Sequence, residues 1–220
     1  MTRPDAIVFD LDGTLVHSVP DMQVSLNRVL SAMGRPTLTE DVVKSFVGNG
    51  VSQLVARALA ATGGADKAVR RKAVGDFLDD YATQKSILTR PYDGVVDCLA
   101  ELKAQSIPMG VCTNKPQKDA RELCDTLGLS QYFGDITGAC RDVARKPDPA
   151  SLLATIAALG ARIDATLYIG DSAVDYETAI NAKVDFRLYT GGYLNHPLPD
   201  LHPAHRFDAW GPGQLAVWSS

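Results

Sequence analysis

The sequence has no surplus of positive charge. Its 220 residues contain 22 Lys and Arg against 26 Asp and Glu, which gives a formal net charge of −4 and an isoelectric point near 5.5. No block of like charges interrupts the chain. Nucleic-acid-binding domains concentrate Lys and Arg to contact phosphates, so this composition argues against nucleic acid as a partner.

Long apolar runs are also absent. No uninterrupted apolar stretch reaches the roughly 20 residues that a helix needs to cross a bilayer. The N-terminus shows no basic segment followed by an apolar one, the pattern of a secretory signal. We therefore expect a cytoplasmic protein without a membrane partner, present as a monomer or a homodimer.

Cysteine is scarce and dispersed. The four cysteines form no Cys-x-x-Cys pair and stand at Cys98, Cys112, Cys124 and Cys140. This spacing does not indicate a zinc site, and it is typical of reduced thiols in a cytoplasmic protein. Internal repeats and low-complexity segments are absent too.

What the chain does have is an alternation of strand and helix patterns, interrupted once. Ala6-Ile7-Val8-Phe9 is short, apolar and mostly β-branched or aromatic, which predicts a buried strand. Residues 17–88 then show helical spacing with glycine-containing breaks and no strand pattern. Strands and helices alternate again afterwards, with strands predicted at 107–112, 136–137, 166–170 and 184–189.

This alternation predicts an α/β fold with a doubly wound, mostly parallel sheet and right-handed crossovers. The helical insert after the first strand predicts a small all-helical domain set over the sheet. We therefore divide the chain into a core domain of residues 1–16 and 89–220 and a cap domain of residues 17–88.

Two local expectations concern the cap and the C-terminal tail. Asp21 precedes a helical pattern over residues 22–30, where its side-chain oxygen can cap the free N–H groups of the first turn. The tail from Gly191 is rich in Pro, Gly and His, and we expect it to have little regular structure.

Polar residues stand where the predicted strands end. They are Asp10, Asp12, Thr113, Asn114, Lys146 and Asp171. Ligands bind outside the carboxyl ends of parallel strands, so these residues converge if the first strand lies between the second and the fourth. Gly13, which follows the two acids, allows the chain to turn and to approach a ligand closely.

Such a cluster suits phosphoryl chemistry. Several acidic oxygens favour a hard divalent cation such as Mg²⁺, and a hydroxyl, an amide and a lysine favour phosphoryl oxygens. A carboxylate can attack phosphorus, and a second acid can protonate the leaving oxygen. Each segment alone also has a structural interpretation: Thr113-Asn114 as a strand-end turn, Lys146-Pro147 as a helix start, and Asp171 with Asp175 as helix caps.

Four segments, taken in order, resemble the motifs of the haloacid dehalogenase superfamily. They are Asp10-x-Asp12-Gly13-Thr14, Thr113-Asn114, Lys146-Pro147 and Gly170-Asp171-Ser172-x-x-Asp175. The resemblance extends over nearly the whole chain, and residues 17–88 resemble the type 1 cap of the family. It implies a Rossmann-like core and a Mg²⁺-dependent phosphatase that works through an aspartyl phosphate on a small phosphorylated metabolite. The carbon–halogen hydrolases of the family lack the acid found here at Asp12.

The resemblance also implies catalytic roles. Asp10 would be the nucleophile, and Asp12 would act as general acid and then as base for the hydrolytic water. Thr113 and Lys146 would hold the phosphoryl oxygens, and Asn114 would support their loop.

The metal-binding residues implied by the resemblance are Asp10, Asp12, Asp171 and Asp175. Asp12 would contribute its backbone carbonyl, and Asp171 would be a direct ligand. Asp175 would act through a metal-bound water or by orienting Lys146.

Within the superfamily, three segments resemble phosphoglycolate phosphatases: residues 17–21, 46–51 and 90–95. The turn Gly48-Asn49-Gly50 begins a helix whose free N–H groups can meet a small carboxylate. Lys44 and Arg57 are candidate charge partners. The turn also has a purely structural interpretation as an interhelical connection, with both charges solvated. His17 departs from this pattern, since the subfamily often has Asp there.

Two other functions stay open. An isomerase resembling β-phosphoglucomutase would share the core and the cap type, and Asp12 fits its chemistry equally well. A catalytically retired core could serve as a binding protein, although all four motifs are intact in this chain.

Overall fold

A computed structural model describes residues 3–84, 86–140, 144–211, 213 and 215. The chain divides into two compact units. One contains Met1–His17 and Pro91–Ser220, and the other contains Ser18–Arg90. The boundaries expected from the sequence, after residues 16 and 88, lie close to these. Among the described residues, no helix is long and apolar enough to span a membrane.

The five strands expected from the sequence appear in the predicted order, and three two-residue strands, at Val16–His17, Arg90–Pro91 and Arg206–Phe207, were not expected. The strands are β1 (Ala6–Phe9), β2 (Val16–His17), β3 (Arg90–Pro91), β4 (Met109–Pro116), β5 (Asp135–Ala139), β6 (Thr166–Gly170), β7 (Asp185–Tyr189) and β8 (Arg206–Phe207). The α-helices are α1 (Val19–Ala32), α2 (Glu40–Lys44), α3 (Val51–Ala61), α4 (Lys67–Gln84), α5 (Val95–Ala104), α6 (Gln117–Thr126), α7 (Ala150–Ala158) and α8 (Ala173–Ala182).

The first unit is built on a six-stranded sheet in the order β5-β4-β1-β6-β7-β8. All of its neighbouring strands pair in parallel. Phe9, the last residue of β1, pairs with Val111 of β4 on one side and with Ile169 of β6 on the other. The predicted parallel sheet is therefore confirmed, with the first strand between the second and the fourth in the order in which the sequence predicted them.

One expectation about this unit is wrong. Strand β4 does not end at Cys112; it continues through Thr113 and Asn114 to Pro116, with an irregular register toward β5. The structural interpretation of Thr113-Asn114 as a strand-end turn is therefore excluded. The described part of the tail has little regular structure, as expected: a short 3₁₀-helix and the two-residue strand β8, which pairs with β7 at the edge of the sheet.

The core lies on both faces of the sheet, because successive strand side chains point in opposite directions. Ile7 and Phe9 of β1 belong to one apolar cluster, and Val8 belongs to the other. The tail closes the first cluster with Trp210, whose ring lies 6.1 Å from that of Phe9 and 4.9 Å from that of Phe207. The segment after β7 is thus part of the core.

The second unit is helical. Its four helices bury apolar side chains against one another, among them Leu26, Leu54, Leu59 and Phe77. Asn27 fixes the connection after α1, since its amide oxygen accepts from the backbone of Leu38 and its amide nitrogen donates to the same residue.

Asp21 does not cap α1, contrary to the expectation. Ser18 is the N-cap residue, and Asp21 lies in the first turn with its side chain buried. Its carboxylate accepts hydrogen bonds from the backbone of Leu88 at 3.0 Å, the backbone of Thr89 at 2.8 Å and the hydroxyl of Thr89 at 2.6 Å. Asp21 therefore joins the first helix of this unit to its last described segment.

We expect Asp21→Ala to lower the free energy of unfolding by about 2–4 kcal/mol, because it leaves buried donors of Thr89 without an acceptor. Urea unfolding followed by circular dichroism measures this loss. Asp79→Ala, at an exposed position of α4, is the matched control and should change stability little. Equal midpoints for the two variants would contradict the assignment.

Candidate active site

Asp10 lies directly after β1, in the turn at the carboxyl edge of the sheet. Its backbone N–H donates to Ile169 at 2.8 Å, so strand pairing extends to this residue. The chain then turns sharply, and Gly13 has a φ of 95°. A Cβ at Gly13 would lie 2.3 Å from Oδ2 of Asp171, so the close approach of the two segments requires glycine here.

Lys146 is the centre of the site. Its Nζ lies 2.7 Å from Oδ1 of Asp10 and 2.7 Å from Oδ1 of Asp175. It also lies 2.9 Å from the Tyr168 hydroxyl and 3.1 Å from the carbonyl oxygen of Cys112. The Lys146 side chain is only 2% exposed, so a buried ammonium joins two buried carboxylates.

The ionisation of these three groups follows from burial and mutual attraction. Burial raises the pKa of the Asp10 carboxyl from 3.8 to about 7, against the opposing effect of Lys146. Burial acts in the same direction on Asp175, but the Lys146 ammonium outweighs it and holds the pKa of that carboxyl below its usual value. Burial disfavours the charged form of Lys146, yet the two carboxylates raise its pKa above the ordinary value.

Asp171 is the third buried acid. Its Oδ1 accepts from the Thr14 hydroxyl at 2.8 Å, and its Oδ2 accepts from the backbone N–H of Tyr193 at 2.6 Å. Burial raises the pKa of Asp171 well above its usual range, and the charges of Asp175 and Asp10 act in the same direction. This carboxyl is thus in a position that lacks a compensating cation.

The three acids form a candidate cation site. Asp10, Asp171 and Asp175 each offer a carboxylate oxygen, and these oxygens lie within 4.8 Å of one another. One ammonium cannot neutralise three carboxylates, so full ionisation of the three acids requires a further cation. Oxygen donors with excess negative charge suit a hard divalent cation, and the residues present therefore fit Mg²⁺.

Asp175 has a structural role as well as a place in this cluster. It is the N3 residue of α8 and forms a capping box with Ser172, whose hydroxyl donates to Oδ2 of Asp175 at 2.6 Å. Its Oδ1 accepts from Lys146 and from Tyr168. Both carboxylate oxygens are engaged, and the helix-cap interpretation applies together with a role in orienting Lys146.

Asn114 holds the backbone that carries Lys146. Its amide nitrogen donates to the Lys146 carbonyl at 3.1 Å, and its amide oxygen accepts from the Lys146 N–H at 3.0 Å. Thr113 is also buried, and its hydroxyl oxygen accepts from the backbone of Lys115 at 3.2 Å. Because a hydroxyl has one donor of its own, Thr113 can still donate to a phosphoryl oxygen.

Sequence reasoning missed three residues of this site. Tyr168 stands within an apolar strand, where only its phenol distinguishes it from a core residue. Tyr193 follows a Gly-Gly pair, and its hydroxyl contacts Nδ1 of His17 at 3.0 Å. Lys115 follows Thr113-Asn114 directly, and its Nζ lies 3.1 and 3.3 Å from the two carboxylate oxygens of Asp12. The Gly-Gly pair and this adjacency were the available signals.

The residues proposed to meet a small carboxylate on the substrate lie in the helical unit. Arg57 donates to the carbonyl oxygen of Phe46 at 2.9 Å and to the side-chain oxygen of Asn49 at 2.8 Å. It thereby holds the turn Gly48-Asn49-Gly50, whose last residue is the N-cap of α3. Lys44 is half-buried at the end of α2. The structure therefore brings Arg57 and Asn49 together within this unit.

Comparison with known proteins gives concordant matches. The model of the haloacid dehalogenase-like hydrolase family matches residues 7–188. A phosphoglycolate phosphatase of Cereibacter sphaeroides (strain ATCC 17029 / ATH 2.4.9) is 42% identical over 200 residues, which cover 90% of each chain. A phosphoglycolate phosphatase of Rhodospirillum rubrum is 40% identical over 210 residues, covering 93% of this chain and 87% of the relative.

Solved structures agree with these matches. A crystal structure described as a predicted phosphoglycolate phosphatase from Haemophilus somnus 129pt has a TM-score of 0.87 and 30% sequence identity. The superposition covers 94% of this chain and 95% of that one. One from Lactobacillus delbrueckii subsp. bulgaricus, described as a putative phosphoglycolate phosphatase, has a TM-score of 0.82 at 27% identity and covers 94% and 95% of the two chains.

We expect metal-free protein to contain a carboxyl with a pKa of about 7 that is absent from Asp10→Asn. Carbon-13 NMR of the aspartate carboxyls measures it. Lys146→Met should raise this pKa further, because it removes the nearest positive charge. Lys118→Met, at a side chain that is 84% exposed, should leave it unchanged. A lower pKa in Lys146→Met would contradict the electrostatic assignment.

Proposed function

This chain belongs to the haloacid dehalogenase-like hydrolase family, and from this premise we propose that it hydrolyses a small organic phosphate monoester in the presence of Mg²⁺. The observation that carries the proposal is the group of three buried carboxylates, Asp10, Asp171 and Asp175, arranged around one cation site beside Lys146. Three carboxylates repel a phosphate, which is also negatively charged. A phosphate can therefore bind beside them only when a divalent ion is bound as well.

Asp10, Asp171 and Asp175 would hold Mg²⁺, together with the backbone carbonyl of Asp12. When bound, the ion supplies positive charge that neutralises phosphoryl oxygens and allows a carboxylate to approach them. Asp175 would act through a metal-bound water or by orienting Lys146, whose Nζ donates to its Oδ1.

The reaction has two halves. In the first, a carboxylate oxygen of Asp10 forms a bond to phosphorus while the bond from phosphorus to the alcohol oxygen breaks, and Asp12 gives its proton to that oxygen. In the second, a water oxygen bonds to phosphorus, Asp12 takes a proton from the water, and the bond to Asp10 breaks. The products are the alcohol and inorganic phosphate, and both acids return to their starting states.

Lys146 and Thr113 provide donors for the phosphoryl oxygens. The ammonium of Lys146 is buried, so its attraction for developing negative charge is less screened than in water. Asn114 holds the Lys146 backbone, while Tyr168 and Asp175 orient its Nζ. These contacts fix the position of the ammonium, which reduces the reorganisation needed during reaction.

We further propose 2-phosphoglycolate as the substrate. The relatives that bear this name are 40–42% identical over about nine-tenths of the chain. In the helical unit, the turn Gly48-Asn49-Gly50 leads into α3, and the first N–H groups of a helix can bind a carboxylate. Lys44 is a candidate charge partner, and Arg57 acts by holding the turn.

We expect 2-phosphoglycolate to give the highest kcat/KM in a panel of small phosphate esters assayed for phosphate release with Mg²⁺. Asp10→Asn should reduce kcat by about 10³-fold or more, since the amide cannot replace the nucleophile. Asp164→Asn, at a side chain that is 80% exposed, is the matched control and should retain activity.

Absence of phosphate release from every ester, or full activity of Asp10→Asn, would refute the proposal. Hexose 1-phosphates belong in the panel because they test the competing isomerase function. If phosphorus-31 NMR shows 6-phosphate appearing without inorganic phosphate, the chain is a mutase and not a phosphatase.

The turn Gly191-Gly192-Tyr193 should determine the affinity for Mg²⁺. A Cβ at Gly192 would lie 2.2 Å from the carbonyl oxygen of Gly13 and 2.4 Å from Cβ of Asp171, so Gly192→Ala must displace that ligand. We expect Mg²⁺ affinity to fall about 10–100-fold in calorimetric titrations without substrate. Gly211→Ala, where a Cβ meets nothing within 4 Å, is the control. Equal affinities in the two variants would contradict the assignment.

A further inference from the structure

We propose that Lys115 is a positioning residue that holds the carboxyl group of Asp12 in the orientation needed for proton transfer to the leaving alcohol. This inference rests on the proposed function, in which Asp12 is the general acid and base. Lys115 itself is not one of the residues that hold the phosphoryl group in that function.

The contact between the two side chains is close and largely removed from solvent. Nζ of Lys115 lies 3.1 Å from Oδ1 and 3.3 Å from Oδ2 of Asp12, and the side chains are 4% and 11% exposed. Lysine is rarely buried to this extent without a partner of opposite charge. The pair joins β4 to the turn after β1, across 103 positions of sequence.

The backbone of Lys115 is held in place from two sides. Its N–H donates to the Thr113 hydroxyl at 3.2 Å, within the irregular part of β4. Its carbonyl oxygen packs against Gly138 of β5 so closely that a Cβ there would lie 2.7 Å away. Gln117 adds a hydrogen bond of 2.6 Å from the Gly138 N–H to its side-chain oxygen. These contacts fix the position of the Lys115 backbone, from which its side chain extends toward Asp12.

The backbone of Asp12 is held as well. Asp12 forms an isolated parallel bridge with Val16, and the N–H of Gly13 donates to the Val16 carbonyl oxygen at 2.9 Å. With both backbones held, the remaining freedom of Asp12 is rotation of its short side chain. An ammonium within reach of both carboxylate oxygens restricts that rotation.

The two lysines of the site serve different acids. Lys146 contacts Asp10 and Asp175, whereas Lys115 contacts Asp12, whose carboxylate is not part of the three-acid group. Lys146 is thus paired with the nucleophile, Asp10, and Lys115 with the acid and base, Asp12.

Displacement of the acid should lower the rate most for substrates with poor leaving groups. An alkoxide-like oxygen needs a proton as its bond to phosphorus breaks, whereas an acidic phenol can depart without one. A displacement of about 1 Å in a catalytic group can cost about 10²-fold in rate. Loss of Lys115 should therefore make the rate more dependent on the pKa of the leaving group.

The test uses substituted phenyl phosphates whose phenols differ in pKa, assayed with Mg²⁺ for wild type, Lys115→Met, Lys115→Arg and Lys118→Met. The quantity compared is kcat/KM, which reports steps up to transfer of the phosphoryl group and not the later hydrolysis. In Lys115→Met we expect a loss of about twofold for the most acidic phenol and about 10–100-fold for the least acidic. Lys115→Arg, which keeps the charge, and the exposed Lys118→Met should follow the wild-type line.

A double-variant experiment separates positioning from general disruption. In the Asp12→Asn background, Lys115→Met should not steepen the dependence any further, because the acid through which it acts is already gone. Circular dichroism establishes that each variant is folded, and Lys115→Gln replaces Lys115→Met if the latter does not fold.

Parallel lines for wild type and Lys115→Met would overturn the inference, whether or not they are displaced. A uniform downward displacement would instead indicate that Lys115 contacts the phosphoryl group, and the proposed function would stand. A wild-type protein that cleaves none of the esters would refute the proposed function and this role with it.

Discussion

The site depends on one buried ammonium shared by two carboxylates. Without Lys146, burial would favour the neutral forms of Asp10 and Asp175, and a neutral carboxyl is a poor nucleophile. Even beside Lys146, burial raises the pKa of Asp10 to about 7. The position of the ammonium therefore decides whether Asp10 carries charge near neutral pH. Tyr168 and Asn114, which hold the Nζ and the backbone of this lysine, are as necessary to the arrangement as the acids themselves.

The ammonium of Lys146 does not compensate all three acids, and the acid that lacks a positively charged partner is Asp171. Its carboxylate accepts from Thr14 and from the backbone of Tyr193, but neither donor carries a net charge. The backbone around it approaches so closely that Gly13 and Gly192 have no room for a Cβ. Asp171 lacks a positively charged partner, and the closely packed backbone leaves little space beside it. Such a site favours a small divalent ion over a second lysine side chain. The two glycines and the uncompensated charge of Asp171 thus belong to the same enclosure.

Much of the fold and part of the site could be predicted because the relevant signals are local. The apolar run before Asp10 and the alternation of strands and helices predicted the parallel sheet, and the strand order is confirmed. Partners that meet only through the fold could not be predicted. Asp21 stands where a helix cap is expected, yet it binds a segment 67 and 68 positions away. In the sequence, nothing distinguishes Lys115 from other charged residues near a strand end. Only the fold shows that it lies beside Asp12 in the turn after β1.

A residue can serve the fold and the chemistry together, so structural and functional interpretations need not exclude each other. Asp175 caps α8 with one oxygen and orients Lys146 with the other. The capping box thus links the first turn of α8 to Lys146, because one carboxylate contacts both Ser172 and the lysine. Asp10, Asp171 and Asp175 each accept hydrogen bonds from protein donors, and groups held in this way stabilise developing charge most effectively. A proton donor in such a site also works best when its orientation is fixed, and Lys115 fixes that of Asp12 in the role proposed for it.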